Sequence, residues 1–309
     1  MAAAADGSAE LPRAGYLGPE GTFSEEALLG SARPGSVEPV GLPSIYETVM
    51  ALRAGELDWA VVPIENSLEG SISVTLDLLA GEASDVEIVG ETLLRVRHSL
   101  IASEPVELAR IKTVLTHPQV PGQCARFLRT ELAHAQVLPA SSTAEAVRTV
   151  AGDPQPGRAA IGTVLAARIY GATVVREGVE DRDDNETRFV WLARTGEQRE
   201  VPLEPPGGSA WRTSLLFWGS GAEHAGWLVR CLQEFAERDI NLTKIESRPR
   251  RKELGNYVFF TDLAARGDEP RVVEALAGLE NICEAVRVMG SYAAATEPVG
   301  ALAPAENPR

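Results

Sequence analysis

The 309-residue chain reads as an α/β protein of two lobes, followed by a small α+β domain of ferredoxin-like order. Three observations lead there. Short apolar strands alternate with helical patterns through the first two thirds of the chain. A charged, proline-rich break, "TGEQREVPLEPPGGS" at 195–209, interrupts that rhythm. A β-α-β-β-α-β series follows it. The length points the same way, because one hydrophobic core seldom grows to this size.

The elements justify this reading in order. Strands are predicted at Ala14–Leu17, Trp59–Pro63, Lys112–Leu115, Gln136–Leu138 and Arg158–Ile161. Helices are predicted at Ser24–Leu29, Ile45–Ala54, Gln123–Glu131, Ala144–Ala151 and Val164–Tyr170. Such alternation implies largely parallel sheets. The extended run Glu87–Ala102, with a fresh α/β series after it, implies two lobes and a cleft between them. Past the break come strand Trp211–Trp218, helix Ala225–Ala236, strands Leu242–Ser247 and Asn256–Asp262, helix Val272–Leu279 and strand Glu284–Tyr292. With one amphipathic sheet face, this unit reads as a small separate domain whose edges could pair with a second copy. The division is thus a loose tail at 1–12, a first domain at 13–194, a linker at 195–209, a second domain at 210–292 and a loose tail at 293–309.

Composition narrows the function. At 44% hydrophobic and 24% charged the chain is globular rather than disordered. Residues 13–193 carry 15 Lys+Arg against 25 Asp+Glu, and 207–292 carry 11 against 12. No basic stripe is present to neutralise phosphates, so no nucleic-acid partner is expected. Apolar runs are too short for a membrane span, and the first residues lack the pattern of a signal peptide. Cys124, Cys231 and Cys283 have no CxxC spacing. They imply a reducing, cytoplasmic setting with neither a disulfide framework nor a metal site. The Asn185-Glu186-Thr187 and Asn241-Leu242-Thr243 sequons therefore do not read as glycosylation sites.

Polar residues gather where strands end, the place at which open α/β sheets bind ligands. "GPEGTFSEEAL" (18–28) is a Gly-rich turn opening a helix; Thr22 and Glu25 have capping-box spacing, and the helix start could also hold an anion. "VVPIENSLEGSI" (61–72) places Glu65, Asn66 and Ser67 after a buried strand, with Gly70 opening a further helix that Asn66 or Ser67 could cap. "VLTHPQVPGQC" (114–124) repeats the geometry with Thr116, His117, Gln119 and Gln123; His117 precedes proline, which favours an extended turn. In "PASSTAEAV" (139–147) Ser142 and Glu145 form a capping box, leaving Ser141 and Thr143 as donors. "RDDNETRFVWLAR" (182–194) sets Thr187 and Arg188 at the head of an apolar strand. No Ser-His-Asp order, HExxH pair, Walker loop or GxGxxG occurs. Hydroxyls, amides and helix N-termini of this kind suit a small polyanionic ligand.

Taken together and in order, "GPEGTFSEEAL", "PIENSLEGSI", "THPQVPGQC", "SSTAEA" and "DNETRF" resemble the successive motifs of the prephenate dehydratase family. "NLTKIESRP" and "LGNYVFFTD" resemble its regulatory ACT domain. The resemblance implies a two-lobed, periplasmic-binding-protein-like catalytic domain with the active site between the lobes, then a ferredoxin-like ACT domain. It implies a cofactor-free lyase (a hydro-lyase) of phenylalanine biosynthesis, converting prephenate to phenylpyruvate, water and CO2. Thr187 would then be the hydroxyl at the leaving group, with Asn66 orienting substrate and Glu65 organising the site. Ser67, Thr116, Gln123, Ser141, Thr143 and Arg188 would bind substrate, Arg188 by pairing with a carboxylate or by holding the loop. The family usually has serine where Thr116 stands, so a methyl narrows the space there.

The same resemblance implies amino-acid feedback. L-phenylalanine, or another aromatic amino acid, would bind at an ACT interface between paired subunits of a homodimer or homotetramer. The residues implied are Ala225, Gly226, Leu228, Asn241, Leu242, Glu246, Ser247, Arg248 and Pro249. One departure is Ala225-Gly226-Trp227-Leu228 in place of the family's Pro-Gly-Ala-Leu, an indole beside the expected effector pocket. Alternatives are an arogenate dehydratase, a non-catalytic amino-acid-binding regulator, or a relative that decarboxylates prephenate without aromatising it.

Overall fold

The computed structural model of the chain describes residues 10–197, 200–204, 209–219, 224–250 and 257–299. In the first lobe β1 (Arg13–Leu17), β2 (Glu38–Leu42) and β3 (Trp59–Asn66) run parallel. Helices α1 (Phe23–Ser31) and α2 (Ile45–Ala54) are the crossovers that make this possible. Each begins at a hydroxyl cap: Thr22 Oγ1 accepts from the Glu25 N–H and Ser44 Oγ from that of Glu47. The Glu25 carboxylate closes the turn differently from a capping box, taking the Gly21 N–H at 2.5 Å.

The sheet is mixed rather than largely parallel. Strands β5 (Val86–Arg95) and β11 (Glu186–Arg194) pair antiparallel, and β11 also pairs antiparallel with β3. The reason is topological: β11 returns from the second lobe and enters between strands already laid down. Its run "FVWLA", buried on both sides, is the central strand of this sheet. Gly70 does not open a helix. Gly70–Ser71 form a short strand, β4, on β3, and α3 (Ser73–Ala80) starts after it.

The second lobe holds β6 (Ser99–Ala102), β7 (Thr113–Thr116), β8 (Gln136–Pro139), β9 (Arg158–Gly162) and β10 (Thr173–Glu177), ordered β10-β6-β9-β7-β8. The predicted helix at 123–131 is two pieces, α4 (Val120–Gln123) and α5 (Ala125–Glu131). Helices α6 (Thr143–Gly152) and α7 (Val164–Ile169) complete the lobe. The chain crosses between lobes at 96–98 and again at 178–185, so the extended run 87–102 is two strands in two sheets.

The third unit has the expected order: β12 (Trp211–Trp218), α8 (Trp227–Ala236), β13 (Leu242–Pro249), β14 (Tyr257–Leu263), α9 (Pro270–Glu280) and β15 (Ala285–Ala293). It is not separate, because both faces of its sheet are covered. Leu215 and Phe217 pack under α8 and α9, while Leu216, Phe260, Met289 and Tyr292 share a core with Leu76, Ile88, Val190 and Leu192 of the first lobe. Gly290 permits the approach, since a Cβ there would lie 2.0 Å from the Ile88 carbonyl oxygen.

Two segments expected to be loose are anchored where described. Residues 200–204 run beside α1, with Arg33 N–H on the Pro202 carbonyl and Leu203 packed in the first-lobe core. After β15, Ala294 is buried and β16 (Pro298–Val299) pairs parallel with β5. The rest of the tails, linker residues 198–199 and 205–208, and residues 251–256 with the predicted strand start at Asn256 lie outside the described residues.

Candidate active site

Between the lobes lies a cleft of about 480 Å³. Its floor is the strand-end cluster Pro63, Asn66, Asn185, Thr187 and Phe189, and His98 joins it from the first crossing segment. Two helix starts face it, Thr22–Phe23–Ser24 from α1 and Ser141–Ser142–Thr143 from α6. The Ser142 hydroxyl caps α6 by accepting from the Glu145 N–H at 3.0 Å. At one end the lobes touch: Thr163 Oγ1 donates to the Gly21 carbonyl at 2.6 Å, and Tyr170 donates to the carbonyl of Glu20. Among the described residues no lysine or arginine lines the cleft.

The hydrogen bonds on the floor have a definite direction. Backbone N–H groups of Leu68 and Glu69 donate to Asn66 Oδ1 at 2.9 and 3.0 Å, which fixes the amide. Its Nδ2 must then donate, and it reaches Thr187 Oγ1 at 2.9 Å and Asn185 Oδ1 at 2.8 Å. Asn185 Nδ2 continues to Gln123 Oε1 at 3.3 Å, and Gln123 Nε2 donates to Glu69 at 3.2 Å. Thr187 thus accepts from Asn66 and keeps its own proton for another acceptor. His98 Nε2 lies 2.9 Å from the same Gln123 oxygen, so it carries the proton. Burial lowers the His98 pKa, against the opposing pull of Gln123 and Glu180, and holds the ring neutral at pH 7.

Of the residues expected at the site, Asn66, Gln123, Ser141, Thr143 and Thr187 line the cleft. Thr116 lies beneath it, buried, with its hydroxyl on the Ile161 carbonyl at 2.9 Å. Ser67 accepts from the Glu186 N–H at 3.0 Å and so braces the loop that carries Asn185. Glu65 and Arg188 are off the cleft. Consecutive strand residues face opposite ways, and these two look toward the third unit. There Arg188 pairs with Glu65, Glu91 and Asp262, and Glu65 also with Lys244. Burial opposes the Arg188 charge, but the carboxylates around it raise its pKa and keep it charged. His98, Glu69 and the structural part of Asn185 had gone unread. A lone histidine within an extended run carries no local signal, and Glu69 resembles any acidic turn residue.

Comparison with known proteins gives this geometry a family. The prephenate dehydratase family model matches residues 14–197, and the ACT domain model matches residues 224–281. A prephenate dehydratase from Mycobacterium sp. (strain JLS) is 41% identical over 299 residues, 93% of this chain and 90% of that one. The chain belongs to the prephenate dehydratase family. Membership makes it a lyase with a regulatory ACT domain. A prephenate dehydratase from Arthrobacter aurescens, solved in complex with L-Phe, superposes with a TM-score of 0.81 at 36% identity over 94% of this chain and 93% of that one. GqqA, described as a quorum-quenching acylase, has the same architecture, with a TM-score of 0.78 at 29% identity over 92% and 98%.

In the ACT domain the expected effector residues divide between two faces. Glu246 and Arg248 point at the first lobe: Glu246 meets the Ser71 hydroxyl, and Arg248 pairs with Asp77 at 2.7 Å and donates to Ser73 at 2.8 Å. Ser247 and Pro249 alternate with them and are exposed, as is Asn241. Gly226 caps α8 with φ 80°, beside exposed Ala225; Leu228 and Leu242 are half-buried against the ACT core. Trp227 does not stand outside that core. Its ring packs at a tilt against both members of the stacked Phe217–Phe259 pair, and its Nε1 donates to the Ile282 carbonyl at 3.1 Å. The indole fills the domain interior because the Gly226 turn directs it inward.

Proposed function

We propose that this cleft takes prephenate to phenylpyruvate, water and CO2, with Thr187 as the donor to the departing hydroxyl. The observation that carries the reading is the one-way chain from the Leu68 and Glu69 N–H groups through Asn66 to Thr187 Oγ1. A hydroxyl that accepts from an amide is a better donor in turn. The bond from the ring to its carboxylate breaks, and the electron pair moves through the ring. The C–O bond opposite then opens, and the leaving oxygen takes a proton on the Thr187 side to become water. The hydroxyls of Ser141 and Thr143, at the α6 N-terminus, hold a substrate carboxylate; Gln123 and Asn185 set the floor beneath the ring. Apolar walls from Phe23, Val96 and Phe189 stabilise a carboxylate less than water does, which favours its loss as CO2. Glu65, Ser67, Thr116 and Arg188 act by holding the strands and loop that carry these groups.

Glu69 is the one acidic side chain on the described cleft wall, and its two oxygens are taken by Gln119 and Gln123. An arogenate ammonium would have to compete with both amides for that carboxylate, which favours the keto acid. L-phenylalanine, the ligand of the Arthrobacter aurescens relative, is the effector we assign to the ACT domain. It would be held between paired ACT domains of a homodimer or homotetramer in the cytoplasm. No described helix is long and apolar enough to cross a membrane. Purified protein mixed with prephenate at neutral pH should release phenylpyruvate, and arogenate should be turned over far more slowly. Folded protein that is silent toward prephenate overturns the reading.

A further inference from the structure

The ion cluster behind the active-site strands joins the ACT domain to the residue next to Thr187. We propose that Asp262 is a positioning residue for Thr187, acting through Arg188. The proposal rests on the dehydratase reading of Thr187.

The register carries the argument. On the paired strands β11 and β3, Thr187 lies opposite Asn66 and Arg188 opposite Glu65. One pair faces the cleft and the other faces the ACT sheet, so a single strand thickness separates the hydroxyl from the ions. On the far side Arg188 meets Asp262 at 2.8 Å, Glu65 at 3.0 Å and Glu91 at 3.2 Å. Arg212 and Lys244, both from the ACT sheet, close the cluster on Glu91 at 3.0 Å and Glu65 at 3.3 Å. Three cations face three carboxylates. The side chains of Arg188, Glu91 and Asp262 are 7%, 0% and 6% exposed, so none can trade its partner for water.

Asp262 is tied to its own sheet as well, because its second oxygen accepts from the Ser214 hydroxyl at 2.6 Å. A shift of the ACT sheet therefore carries Asp262 with it, and Arg188 must follow or Asp262 Oδ2 is left buried without its cation. The β11 ladder with β3 has its register break between Arg188 and Phe189. A bulge is where a strand bends most readily, so displacement of Arg188 passes into the Thr187 backbone. The state of the ACT domain is thereby read at the catalytic hydroxyl.

The test is amide hydrogen exchange across residues 186–190 in the full chain, with Asp262→Asn beside Asp77→Asn. The second variant breaks the Arg248 pair at the same interface without touching β11. Asp262→Asn should speed exchange at 186–190 by about tenfold and Asp77→Asn should not. L-phenylalanine should still bind Asp262→Asn but no longer alter its prephenate turnover. Should Asp262→Asn fail to fold, Lys244→Gln, which loosens Glu65 beside Arg188 from the ACT side, should speed exchange at 64–67 and 186–190, and unchanged exchange there would count against the proposal. Wild-type exchange and effector response in Asp262→Asn, or equal changes in both variants, would overturn the proposal. Wild-type protein inert toward prephenate would instead sink the dehydratase reading, and the exchange result would still decide this one.

Discussion

At the scale of single residues, the chemistry rests on which atom each amide presents. Thr187→Val keeps the shape and removes the donor, so turnover should fall by roughly 10²–10⁴ with modest change in KM; steady-state kinetics on prephenate checks this. Asn66→Asp places an acceptor opposite Thr187 Oγ1 and forces the threonine proton away from the cleft. Its turnover should fall by about 10–10³, the scale of losing a positioned hydrogen bond in a closed site. Glu26 gives a pH signature away from chemistry. Burial raises its pKa from 4.5 to about 7, against the lowering pull of Arg168. A raised carboxylate pKa means the folded state binds the proton more readily, so Glu26 destabilises above pH 7 and stops doing so near pH 4.5. Glu26→Gln should raise the melting temperature most at pH 8 and hardly at all near pH 5, by scanning calorimetry. Thr187 and Asn66 were legible in the sequence because turn-forming polar residues sit directly against an apolar strand. The direction of their hydrogen bond was not legible, since it depends on two backbone N–H groups brought round by the 66–69 turn.

At the scale of elements, the site is a set of strand ends and helix starts held in register. The capping residues Thr22 and Ser142 announced their helices locally, because a hydroxyl three residues before an acidic group satisfies free N–H groups whatever surrounds it. Strand direction was less accessible: β11 and β5 carry the same apolar pattern whether parallel or antiparallel. Gly21 marks the joint between lobes. Its φ is 85°, and a Cβ would lie 2.7 Å from the Ala166 backbone of α7. Gly21→Ala should therefore cost about 1–3 kcal/mol through strain at a positive φ and wedge the lobes apart. We expect a lower denaturation midpoint together with a reduced kcat/KM. Loss of stability with unchanged kcat/KM would mean the contact of Gly21 with α7 does not set the cleft.

At the scale of the whole molecule, the ACT sheet and the first lobe share one core. Phe260 is 2% exposed and packs among first-lobe residues. Phe260→Ala should cost about 3–5 kcal/mol, and the loss should appear as a single transition that also unfolds the catalytic lobes. Two separated transitions in calorimetry would show the domains to be independent. The shared core was hidden in the sequence by a simple ambiguity. The β12 run Leu215-Leu216-Phe217 is apolar at every position, which marks burial on both faces without saying what covers the second.

By itself, the sequence determined the α/β rhythm, the β-α-β-β-α-β order of the last unit, the polar clusters at strand ends and the family to which their combination belongs. Each of these is local, written in caps, turns and apolar periodicity within some ten residues. Only the tertiary structure decided which way each polar residue faces. Thr187 and Arg188 are neighbours in the chain, yet one lines the cleft and the other joins a buried ion cluster with the regulatory domain. Pleating sends them apart, and a pattern of residue types cannot say which face meets which partner until distant strands are brought together.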